Sequence, residues 1–222
     1  MRRYILISFL GEGPTDNRFF QNIIQRLVEN LLIIQEKEAI IQCSIIQKNG
    51  LTSEDIVYNA ARQSKYSTLL ILHSDADNFT VQEIIENKFK AGIKNVNNCN
   101  DNEVCKTIIL LIPVVETETW MLIDKDLLRE EINTQLSNEE LGLIYKTGNI
   151  ENINDPKQKI INAIQAHHLS LPVKRRRYAV TIRDLYEPMG QKINLEKLEA
   201  LSAFTTFKEN LIAALKGFEI LT

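Results

Sequence analysis

Three times before residue 90 a short apolar run gives way to a polar turn and then to apolar residues at helical spacing. Tyr4 to Leu10 is a nearly continuous β-prone run, the pattern of a strand covered on both faces. Gly11-Glu12-Gly13-Pro14-Thr15 then breaks the chain, and Thr15 is placed to cap a helix carrying Phe19, Phe20, Ile23, Ile24, Leu27 and Val28. Ala39 to Ile46 gives a second strand, Asn49-Gly50 a turn, and Thr52-Ser53-Glu54-Asp55 the acidic start of a helix reaching about Gln63. Ser67 to Leu72 gives a third strand, Asp75-Ala76-Asp77-Asn78 a polar break, and Val81 to about Phe89 a helix with Ile84 and Ile85 inward. Thr107 to Val115 supplies a fourth strand.

Helical crossovers oblige the strands they join to run parallel with right-handed connections. The expected fold class is therefore α/β, a three-layer core with a mainly parallel sheet of about four strands over residues 1–124. Beyond that point the strand signal fades, and residues 125–222 read as a mostly helical C-terminal extension packed on the core. Helices are expected over Glu139–Tyr145, Pro156–Ala166 and Val173–Tyr186, with Thr147-Gly148-Asn149 and Pro188-Met189-Gly190 as loops. Phe204, Phe207, Leu211, Ala214, Leu215 and Phe218 make one further apolar stripe.

An apolar share of 44% and a charged share of 25% are those of an ordinary folded globular chain, which excludes disordered and fibrous classes. Cys43, Cys99 and Cys105 form no C-x-x-C pair, so reduced thiols and a cytoplasmic location are expected and a structural zinc is not. The run after Met1-Arg2-Arg3 is too short for a secretory signal. The stretch Ile108 to Val115, interrupted by Pro113, falls far short of the ~20 residues that cross a bilayer, so no membrane partner is expected. A net charge of -3 gives no long-range attraction for polyanions, so a nucleic acid would have to meet a local basic patch or a bound metal.

Three acidic clusters follow predicted strands: Glu12 with Asp16, Asp75 with Asp77, and Glu116 with Glu118. Ligands of open parallel sheets bind at the carboxyl ends of the strands, where all three clusters fall. Two carboxylates ~4 Å apart repel by roughly 4 kcal/mol at an effective dielectric near 20, so converging acids require protons or a cation. The donors are all oxygen apart from His73, whose side chain is expected to point off its strand, and such a set selects Mg²⁺, Mn²⁺ or Ca²⁺ over Zn²⁺. Taken singly, these acids read equally well as helix caps and solvated turns.

Gly11-Glu12-Gly13-Pro14-Thr15-Asp16-x-x-Phe19-Phe20 and His73-Ser74-Asp75-Ala76-Asp77 resemble the Toprim domain of topoisomerases, primases and the nucleases of the overcoming-lysogenization-defect family. The likeness covers about residues 3 to 120 and implies a Toprim/Rossmann-like core. The run Pro113 to Leu122, with the later Pro-Lys and Phe-x-x-Phe segments, is similar to an uncharacterised Toprim-like family often encoded beside ABC-type ATPases in bacterial defence loci. The resemblance implies a Mg²⁺- or Mn²⁺-dependent nuclease acting on DNA or RNA in anti-phage defence, with ligands Glu12, Asp16, Asp75, Asp77, Glu116 and Glu118. Glu12, Asp75 and Asp77 would be catalytic, with Lys174 as the basic residue near the scissile phosphate. Lys174-Arg175-Arg176-Arg177 would contact nucleic acid, though the cluster reads equally as a solvated helix face. The alternative is a non-catalytic or latent subunit acting with an ABC-type ATPase partner, and a homo-oligomer is compatible with either.

Pro14 and the absence of a zinc ribbon depart from the topoisomerase and primase pattern. Trp120 reads as core, His167-His168 lie on different helix faces, and Tyr178 and Tyr186 lack a companion base that would make them nucleophiles.

Overall fold

The computed structural model describes residues 3–176 and 180–221. Strands β1 (Arg3–Leu10), β2 (Ala39–Ile45), β3 (Leu69–His73) and β4 (Ile108–Leu111) form one sheet in the order β2-β1-β3-β4, with every pair parallel. Helix α1 (Pro14–Ile34) follows β1 and α2 (Ser53–Gln63) follows β2. After β3, α3 (Val81–Ile84) passes through a π-helical turn at Ile85–Phe89 into α4 (Lys90–Asn97). Beyond β4 come α5 (Thr117–Leu122), α6 (Lys125–Ile132), a 3₁₀ turn at Thr147–Asn152, α7 (Pro156–Ser170), α8 (Ile182–Lys192), α9 (Leu195–Leu198) and α10 (Ser202–Gly217).

The period of two along a strand divides the core into two layers. Ile5, Ile7, Phe9, Leu69, Ile71, Ile109 and Leu111 pack with α1 and with residues of each of the helices named beyond β4, among them Trp120, Tyr186 and Phe204. Leu10, Leu70 and Leu72 pack instead with Val57, Ala60 and Ala61 of α2 and with Ile84, Phe89 and Val96 of the α3–α4 arm. Each such aliphatic side chain contributes roughly 1.5–3 kcal/mol on leaving water. The three-layer α/β arrangement and the C-terminal helices are those expected, and those helices share the core of one sheet face.

Several boundaries differ from expectation. Gly13, not Thr15, stands at the N-cap of α1, because Pro14 fits the first helical turn, where its missing N–H costs nothing. Glu139–Tyr145 is not a helix. Ser137 and Glu140 exchange capping bonds as a helix start would, but Gly142 adopts φ 69° and ends the segment after one turn. Val173–Tyr186 is likewise not continuous, since a turn follows Pro172 and α8 starts only at Ile182, where Thr181 and Asp184 cap it. Pro188-Met189-Gly190 lies inside α8 rather than in a loop.

Candidate metal centre

Because all four strands are parallel, their carboxyl ends open on one edge, and at the β1/β3 junction the chain leaves β1 toward β2 on one side and β3 toward β4 on the other. The loop after β1 is shaped by Gly11, where an added Cβ would stand 2.5 Å from Asn17 Oδ1, the atom that accepts the Gly11 amide. That turn starts α1 with Asp16 in its first turn. Asp16 Oδ2 accepts from Gly13 N at 3.0 Å, leaving Oδ1 to face the junction. Past β3 the backbone stays tied to the β4 side: Ser74 N donates to Leu111 O, Ala76 N to Pro113 O and Asp77 N to Val115 O. These bonds hold Asp75 against the start of α5.

There Asp16, His73 and Asp75 each offer one ligand atom, all within 4.8 Å of one another, so the group can hold a metal ion. His73 Nδ1 lies 3.0 Å from Leu111 O. A carbonyl only accepts, so Nδ1 carries the proton and Nε2 turns its lone pair toward Asp75 Oδ1 at 3.6 Å and Asp16 Oδ1 at 3.9 Å. Thr117 Oγ1 sits 2.9 Å from Asp16 Oδ1, 3.2 Å from Asp75 Oδ1 and 3.5 Å from His73 Nε2. The one Thr117 hydroxyl proton thus faces three acceptors, a crowding of lone pairs that a proton on Asp75 or a bound cation relieves.

The titration of these groups carries the same imbalance. Burial, then the charges of Asp16, Glu12 and Glu118, pushes Asp75 up to about 8. Burial holds His73 below its ordinary value despite Asp16, so the ring is neutral, and the Asp16 and Asp75 contacts are not ion pairs. Burial raises Glu12, but the hydrogen bonds from Lys88 and Ser74 and the Lys88 charge outweigh it and hold the carboxyl below its usual range.

The remaining predicted residues divide. Glu12 Oε1 accepts from Ser74 Oγ at 2.7 Å and from Lys88 Nζ at 2.7 Å, so a lysine already neutralises it. Glu118 is buried beside Lys157 Nζ at 3.1 Å and accepts from the Tyr186 hydroxyl. Glu116 Oε1 accepts from Lys157 N at 2.8 Å and caps α7, and burial raises its carboxyl. Asp77 is exposed in a left-handed turn at φ 51°, with no side-chain partner among the described residues. Lys174 and Arg175 are exposed in a turn and Arg176 is exposed in 3₁₀ geometry; none of the three bonds these acids, while Arg176 donates to Leu169 O and Leu171 O. Arg177 and Tyr178 lie outside the described residues.

The structure thus joins Asp16 and Asp75 directly, draws Glu12 and Glu118 to their rim, and leaves Asp77 and the basic cluster apart. His73, expected to point off its strand, instead faces Asp16 and Asp75, because β3 turns it toward α1 and α5. Tyr186, weighed only as a nucleophile, and Ser74, Lys88, Thr117 and Lys157, not weighed from sequence, also belong to the site. Thr117 stands between two flagged glutamates and His73 beside Asp75, so adjacency could have found both. Lys88, Lys157 and Tyr186 depend on how distant helices dock, which no local pattern encodes. Comparison with known proteins finds no matching family model, no matching curated protein and no matching solved structure.

Proposed function

We propose that the chain is a divalent-metal-dependent nuclease hydrolysing phosphodiester bonds of DNA or RNA. The observation that carries this reading is the Asp16–His73–Asp75 group, gathered around the Thr117 hydroxyl at the carboxyl edge of a parallel sheet. Asp16, His73 and Asp75 would hold the ion, and the imidazole in the set favours Mn²⁺ over Mg²⁺. A bound divalent ion supplies Lewis-acid polarisation of a phosphoryl oxygen and lowers the pKa of water. The chain's own residues do the rest. Thr117 bridges and orients the two aspartates, and the Leu111 carbonyl fixes the histidine tautomer. Lys88 and Lys157 put positive charge on the rim, where a phosphodiester would otherwise be repelled by Glu12 and Glu118. The resemblance of Glu12, Asp16, Asp75 and Asp77 to the Toprim pattern supports the same chemistry.

The test is cleavage of plasmid DNA and of RNA with Mg²⁺ or Mn²⁺, beside Asp75→Asn. The wild-type chain should cut with Mn²⁺ at least as well as with Mg²⁺, and the variant should lose about 100-fold or more. Polymers left intact by the wild type, or cut equally by both proteins, would overturn the reading.

One observation favours a second reading, a latent subunit that acts only with an ATPase partner. Glu12 is occupied by Lys88, and Glu118 by Lys157 and Tyr186, so two of the six predicted ligands are already neutralised. Cleavage seen only when a partner is added would favour it.

A further inference from the structure

We infer that the outer edge of β4 is a docking groove for an extended, uncharged peptide segment of a partner protein, which would add to the sheet as a fifth strand. Leu70 N donates to Thr107 O and Ser74 N to Leu111 O, which sets the alternation along β4. Thr107, Ile109 and Leu111 turn their polar backbone groups toward β3, and Ile108 and Leu110 turn theirs outward. Nothing among the described residues pairs with them, because β4 ends the sheet.

That edge is not simply open to water. It forms the floor of a groove of about 610 Å³, with Ile85 and Ile93 of the α3–α4 arm on one wall and Thr206, Asn210 and Ala214 of α10 on the other. The Thr206 and Asn210 side chains are exposed and bond no other described residue, so the wall offers polar groups as well as room. Unpaired backbone donors and acceptors along an apolar channel are satisfied in register only by another extended backbone, the mode by which a sheet edge takes up a peptide. At ~3.3 Å per residue the floor from Thr107 to Ile112 accepts about six residues.

Charge decides which segment fits. Among the described residues, Lys106 is the only charged side chain lining the groove, and its Nζ is already engaged by Asn97 O, Cys99 O and Asp101. A charged side chain entering the channel would find no counterion, so the occupant is uncharged and alternates small apolar with polar residues. A second copy does not suit the site. Its own β4 is recessed between the same two walls, and two recessed edges cannot close to the ~4.8 Å that strand pairing needs.

The experiment selects hexapeptides from a displayed library on the full chain, then measures each synthetic peptide's Kd and its protection of backbone amides from hydrogen exchange. Selected peptides should protect the Ile108 and Leu110 amides. N-methylation at alternate peptide positions should weaken binding about tenfold or more in one register and leave the other unchanged. Thr206→Trp, which fills the channel from an exposed position, should weaken binding by a similar factor, whereas Asp75→Asn should leave it unchanged. Peptides that protect other segments, tolerate both N-methyl registers or bind Thr206→Trp equally would overturn the inference. So would failure to select any peptide, or a dimer in sedimentation that Thr206→Trp dissolves.

Discussion

Asp75 shows how one residue carries both the chemistry and a cost to the fold. Its carboxyl titrates near 8 in the folded chain against an ordinary 3.8, chiefly because it is buried. Below the ordinary value both states hold the proton and nothing is lost. Between there and about 8 the unfolded chain ionises while the fold retains its proton, so stability falls as pH rises and levels off above. Asparagine is neutral at every pH. Asp75→Asn should therefore match the wild type near pH 4 and exceed it by a few kcal/mol at pH 8 in chelator. Urea unfolding across that range checks this, and parallel curves for the two proteins would sink it. Asp16 and Asp75 were legible as site residues because an acid just past an apolar strand must lie at the sheet's carboxyl edge. Their bond through Thr117 was not, since it joins segments a hundred residues apart.

At the scale of elements, the backbones of α1 and α8 meet closely. A Cβ on Gly190 would stand 2.3 Å from Phe19 O, so only glycine lets the two backbones meet there. Arg26 ties the same contact, its guanidinium donating to Gly190 O at 3.0 Å and Ile193 O at 2.8 Å. Gly190→Ala must push the helices apart, at about 1–3 kcal/mol, and should lower Tm by roughly 3–10 °C. Gly217→Ala, where an added Cβ meets nothing within 4 Å, is the calorimetric control and should leave Tm in place. Reading Pro188-Met189-Gly190 as a loop failed for this reason. Proline and glycine are turn signals locally, but here the packing against Phe19 O demands the glycine and the helix runs through it. The helix expected over Glu139–Tyr145 failed in the opposite sense, since the Ser137–Glu140 capping bonds start a helix only where no left-handed glycine follows within a turn. The strands were read more reliably, because an unbroken apolar run between polar turns has few alternatives in a chain this size.

The whole molecule ties its helical extension to the site. Phe20, Trp120 and Phe204 stack edge to face, with ring centroids 5.1 Å and 5.5 Å apart, and so link α1, α5 and α10 in one core. Tyr186 and Lys157, both from the extension, close on Glu118. A cation bound among Asp16, His73 and Asp75 therefore stabilises the entire fold, because the ligands come together only when sheet and helices are assembled. Mn²⁺ at ~100 times its Kd adds about 2.7 kcal/mol, which for a chain of this length raises Tm by roughly 5–10 °C. The ion must displace the Asp75 proton, so its affinity should fall by about tenfold per pH unit below 8, and the gain in Tm should shrink between pH 8 and pH 6. Asp75→Asn should show no gain at either pH. Lys88→Met should enlarge it, because removing the ammonium frees Glu12 to add its charge to the site. Thermal melts of the three proteins with Mn²⁺ and with chelator decide the matter: a gain that ignores pH and survives in Asp75→Asn would place the cation elsewhere.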